Sequence, residues 1–136
     1  MTNIDLAKSY IWKAGTRLDA LEALRKRENF SDVVREAQET VELALKGMLR
    51  AIGVEPPKYH DVGSLLLEHS DRFGAIITKD LKRAAGIYKR LRRERELAFY
   101  GDIDFIPTEE YSEEDARQAI QDARWVVALA KQANVG

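Results

Sequence analysis

Five bases fall within seven residues at Lys89, Arg90, Arg92, Arg93 and Arg95, against one acid, Glu94. Guanidinium and ammonium groups at this density suit one chemistry above others: gripping phosphate, as a small anion or along a nucleic-acid backbone. Downstream, Asp102, Asp104, Glu109, Glu110, Glu113, Glu114 and Asp115 supply seven acids without a base between Gly101 and Ala116. The first reading of the basic run is therefore a solvated face that pairs with this acidic stretch, in the same molecule or in a copy of it; the anion site is the sharper alternative.

Arg95 differs from its neighbours in spacing. Tyr88, Leu91, Arg95 and Ala98 recur at steps of three and four, which places the arginine on an apolar helical stripe. A guanidinium there needs a partner, because burying an unpaired charge costs several kcal/mol. Two partners fit. One is a carboxylate, from Asp102, Asp104, Glu36, Glu39 or Glu42; the other is a phosphate held in a dimer cleft in arginine's bidentate way.

Other chemistries are thinly supplied. There is no cysteine, so disulfides, thiolate metal sites and cysteine nucleophiles are excluded. His60 precedes Asp61, a pairing that metal phosphohydrolases use, but His69 is the one further histidine and the ligand set is too small. His60 reads as a helix-start residue bonded locally, or as a phosphate contact; His69, among Glu68, Ser70 and Asp71, reads as exposed. No Gly-rich phosphate loop, Ser-His-Asp set or Glu-x-x-His metal pair is present. No metal and no cofactor is expected. Trp12 and Trp125 sit beside stripe residues and read as core or interface packing rather than base-stacking platforms.

The elements that must position these groups are helical. From Asp5 to Arg27, Ala7, Tyr10, Ile11, Ala14, Leu18, Leu21 and Leu24 form one stripe. A cleaner stripe follows, from Val33 through Val41, Leu45 and Leu49 to Ile52, with Asn29 or Ser31 as its N-cap and Gly53 where a C-terminal glycine belongs. Pro56 and Pro57 mark a loop. Asp61 caps a short helix to about Arg72, and Thr78 caps a fourth segment to about Tyr100. A loop holding Pro107 leads to Ser112 and Asp115, spaced as a capping box before a last stripe through Ala130. Helices of about 22 residues span roughly 33 Å and align side by side. The expectation is an all-α, up-and-down four-helix bundle with one additional short helix, a single domain over residues 1–136.

Composition agrees. The 136 residues are 33% charged and 45% hydrophobic, with a net charge of -1, which excludes the wholesale basic excess of a histone-like protein. No apolar run approaches the roughly 20 residues of a membrane span, and Asn3, Asp5 and Lys8 interrupt any signal-peptide core. A cytoplasmic setting without membrane contact is the expectation.

Several strings together resemble one family. Arg95-Glu96-Leu97-Ala98-Phe99-Tyr100-Gly101-Asp102 is similar to the end of the long third helix of HEPN domains, named for higher eukaryotes and prokaryotes nucleotide-binding. Tyr10, Ala14 and Leu18 resemble the family's first helix, and Glu36 to Lys46 its second. Tyr59 to Leu66 resembles its His-Asp loop, and Tyr111, Asp115, Ala116 and Ala119 the start of its last helix. The resemblance implies a helical bundle that commonly pairs as a homodimer through the motif-bearing helices. Its ribonuclease members carry Arg-x(4–6)-His at that interface and cut RNA without metal. Here Arg95 matches the arginine, but Tyr100, Gly101 and Asp102 fill the positions where that spacing puts the histidine, the preceding Phe99 moves no proton, and no histidine follows His69.

The resemblance therefore implies a non-catalytic or degenerate member that binds a nucleotide, RNA or a protein partner. Arg90, Arg92, Arg93, Arg95 and His60 are its candidate nucleotide or RNA contacts. It further implies a nucleotidyltransferase partner in a toxin–antitoxin-type system. Two alternatives stand beside it. One is a metal-independent ribonuclease toxin with an altered site built on Arg95, Tyr100 and Asp102; the other is a structural helical interaction module. A homodimer of about 31 kDa, twice the 15.5 kDa chain, is also expected from stripe width. Ile87, Tyr88, Leu91, Ala98 and Phe99 spread wider than one neighbouring helix would cover.

Overall fold

A computed structural model describes residues 3–56, 58, 61–99 and 105–133, with residues 96–99 as backbone alone. The long helices are α1 (Asn3–Lys26), α2 (Phe30–Ala51), α4 (Thr78–Phe99) and α6 (Glu113–Ala133). Two short ones join them, α3 (Val62–Glu68) and α5 (Pro107–Glu110), with a 3-10 turn at Ser70–Arg72. The fold is the expected all-α bundle, and no strand occurs among the described residues. α5 is the addition, a single turn with Pro107 in its first position, in a stretch read above as loop.

The helix ends follow local chemistry. Asp61 accepts from the Gly63 and Ser64 amides and so starts α3. At α6, the Asp115 amide donates to Ser112 Oγ while the Ser112 amide donates to Asp115 Oδ2, a reciprocal capping box. α2 ends in a Schellman motif: the Val54 amide donates to Leu49 O and the Gly53 amide to Arg50 O, with Gly53 at φ 80°. α1 ends the same way, but the left-handed position is Glu28 at φ 60°, which carries a Cβ penalty that glycine would avoid. Two expected caps shift. Asn29 precedes α2 without a side-chain cap bond while Ser31 is buried inside it, and Ile77 O accepts the first α4 amides, so Thr78 is one residue into the helix.

α2 is the hub, packing against α1, α3, α4 and α6. Its whole expected stripe is buried from Val33 to Leu49. One contiguous apolar cluster joins it to Ala14 and Leu21 of α1, Leu66 of α3, Leu81 and Tyr88 of α4, and Ala123 and Val127 of α6. Ile87, Tyr88 and Leu91 are all buried by this chain's own helices. That removes the described part of the stripe-width argument for a homodimer; Ala98 and Phe99, its other members, have side chains outside the described residues. Trp12, expected in packing, is 70% exposed on α1.

Two glycines test this packing in opposite directions. A Cβ on Gly47 would lie 2.7 Å from Ile11 Cγ1 and 3.3 Å from the Ala7 carbonyl oxygen, so α1 rests directly on α2 there. A Cβ on Gly86 in α4 would meet nothing within 4 Å. Gly47→Ala is expected to lower unfolding stability by about 1–3 kcal/mol through overpacking. Gly86→Ala is expected to raise it by about 1 kcal/mol, since alanine is the better helix former. Urea melts of the two variants read both signs.

Candidate functional site

α4 divides by face. Leu81, Ala84, Ile87, Tyr88 and Leu91 are buried, and the helical repeat then carries Lys79, Lys82, Arg83, Lys89, Arg90 and Arg93 to the opposite side, all exposed. These six cations fall within an arc of about 120° and, at 1.5 Å per residue, extend about 21 Å along the axis. The one acid between Lys79 and Arg93 is Asp80, about a third of a turn away. Gly86 lies in the middle of the arc, between the cations at positions 82, 83, 89 and 90. The face is thus basic along its length and bare at its centre.

The partners of these cations differ. Lys79, Lys82, Lys89 and Arg93 have no carboxylate within 4.0 Å among the described residues. Arg83 lies 4.0 Å over the Trp125 ring of α6, which tethers α4 to α6 by a cation–π contact. Arg90 forms an ion pair with Asp122 of α6, whose side chain is only 5% exposed. Gln118 Nε2 supplies Asp122 with a second donor at 3.1 Å. Tyr88 fixes the buried side, donating its hydroxyl to Glu42 Oε1 at 3.1 Å. Burial, and then the Glu42 charge, push this phenol up to about 12.

The expected site residues therefore separate. Arg90 and Arg93 share the outward face, but Arg92 points elsewhere and lies 6.0 Å from the Tyr88 ring. Arg95 comes to the surface instead of continuing the buried stripe, its side chain 45% exposed. It pairs with Glu39 of α2 at 2.9 Å, one of the carboxylates expected for it. Glu39 is shared with Arg17 of α1 at 3.0 Å and Arg35 at 3.6 Å, so the arginine sits in a charge network linking three helices. His60, Tyr100 and Asp102 lie outside the described residues, as does the Phe99 side chain. His69 is half-buried and ends α3.

Four features escaped the sequence reading. Lys79, Lys82 and Arg83 extend the basic face by nearly three turns; their signal was a spacing of three and four, not density. Gln38 is buried in α2 with Oε1 unpaired among the described residues, an amide inside an apolar stripe. Tyr111 donates to Glu94 Oε2 at 2.8 Å, joining the start of α6 to α4, and burial with the Glu94 contact raises this phenol well above its ordinary value. Between α4 and α6, Glu94 and Tyr111 border a cleft of about 210 Å³. No cluster of three or more carboxylate or histidine ligands that could hold a metal occurs among the described residues. None of the described helices is long and apolar enough to cross a membrane.

The described part of α4 suits binding of a linear polyanion. The family model described as HEPN domain matches residues 7–133. No curated protein and no solved structure matches the chain.

Proposed function

The chain belongs to the HEPN domain family, and on that premise we propose that it is a non-catalytic member that holds RNA by its phosphate backbone along the outward face of α4. One observation carries this reading: six exposed cations line one helix face, and four of them lack a described counter-ion. A stacked strand advances about 3.4 Å per phosphate, so the face of about 21 Å matches about six phosphates. Gly86, where alanine would cost nothing in space, keeps the helix surface low where the strand crosses.

Cleavage is not part of this reading. Arg95 is engaged by Glu39, and neither Arg95 nor the phenylalanine at 99 supplies a proton near neutral pH. The homodimer, the nucleotidyltransferase partner, a toxin–antitoxin setting and a cytoplasmic location extend the reading on the family likeness alone. The test is an end-labelled 12-nucleotide RNA incubated with the protein at 0.05 M salt. The reading expects the RNA to be retained and recovered at full length. Full-length recovery without retention would overturn the binding; shortened products that disappear with Arg95→Ala would favour the ribonuclease alternative.

A further inference from the structure

Resting on that reading, we propose that the cleft between α4 and α6 takes one nucleobase from the bound strand and selects a base bearing an exocyclic amino group. At about 210 Å³ the cleft is smaller than the 300–1,000 Å³ of sites for drug-sized ligands, so it fits one ring system and not a whole nucleotide. Its floor is apolar, built from Val34 of α2, Leu91 of α4 and Ala119 of α6, all buried. A flat heterocycle lies against such a floor without stranding polar atoms. Position links cleft and strand: Arg90 belongs both to the basic face and to the cleft wall, so a strand on α4 passes over the mouth.

The rim decides which base. Tyr111 is held edge-on by Phe105, with ring centroids 5.9 Å apart at 83°, and its hydroxyl is already donated to Glu94. Glu94 and Asp115 are acceptors only, and the Gln118 amide nitrogen is committed to Asp122. On the Glu94 and Asp115 side a base edge meets acceptors and must bring donors; Arg90, the donor of the lining, is held by Asp122. Cytosine N4 and adenine N6 are amino groups that offer two N–H donors, whereas uracil offers one N3–H flanked by the O4 and O2 acceptors, which the carboxylates repel.

Fluorescence anisotropy with the labelled RNA hexamers C6 and U6 at 0.1 M salt tests this. C6 is expected to bind about tenfold tighter than U6. Glu94→Gln should remove the preference while leaving U6 affinity equal or higher, since an anion is lost beside the strand. Tyr111→Phe, which frees Glu94 from its orienting hydroxyl, should reduce the preference to a few-fold. Equal binding of C6 and U6 by the unaltered protein overturns this inference and leaves the RNA reading standing. A preference that survives Glu94→Gln also overturns it. If neither hexamer binds, both readings fall.

Discussion

Charge reversal of Lys82, Lys89 and Arg93 to glutamate is expected to lower affinity for single-stranded RNA by more than 100-fold at 0.1 M salt. All three are exposed on the outward side of α4 and have no carboxylate partner among the described residues, so no described ion pair is lost with them. Each phosphate contact on a single strand contributes about 0.7 to the slope of log K against log salt. At 0.1 M that is about fivefold per contact, and three lost contacts multiply to over 100-fold before repulsion is added. The control is Lys13→Glu with Lys26→Glu on α1, both exposed. It changes net charge in the same sense and should leave affinity within a few-fold, which separates a local face from the charge of the whole chain. Circular dichroism melts should show the triple variant as stable as its parent.

Arg90 behaves in the opposite way, because its value lies in the fold. Arg90→Ala is expected to destabilise the protein by about 2–3 kcal/mol. Asp122 stays buried with Gln118 as its one remaining described donor, and stranding a buried carboxylate is costly. The half-exposed guanidinium tempers the loss, which holds the figure below the 3–5 kcal/mol of a fully buried pair. Asp122→Asn should cost less, about 1 kcal/mol, because the freed arginine hydrates where it stands. Urea unfolding of both variants reads this asymmetry. Equal losses would mean that the cost lies in breaking the pair and not in stranding the buried Asp122.

The sequence made the helices legible wherever an apolar stripe met a capping signal. The α2 stripe, the Gly53 ending, the Asp61 cap and the Ser112–Asp115 box are each local chemistry within a few residues. α5 escaped because Pro-Thr-Glu-Glu carries no apolar residue and so no period. The site was half legible. Counting bases found the density at Lys89 to Arg95, and spacing set Arg95 apart, but Arg92 stayed merged with residues that point to another side of the helix. The period of 3.6 residues sorts them, and it recruits Lys79, Lys82 and Arg83 from a stretch where apolar residues interrupt the run. The Arg90–Asp122 and Tyr111–Glu94 contacts join residues 32 and 17 positions apart, and Arg95 finds Glu39 across 56. Spacing along a helix carries no information about such pairs; they follow from which helices α2 draws together.

The central claim, a strand held by phosphate contacts along α4, is tested most directly by a salt titration of RNA affinity. With labelled 12-nucleotide RNA between 0.05 and 0.3 M salt, log K should fall linearly with log salt. For about six contacts at about 0.7 each, the slope should lie near -4. A slope near zero, or no retention at 0.05 M, would contradict the account and leave the basic face of α4 as solvated surface.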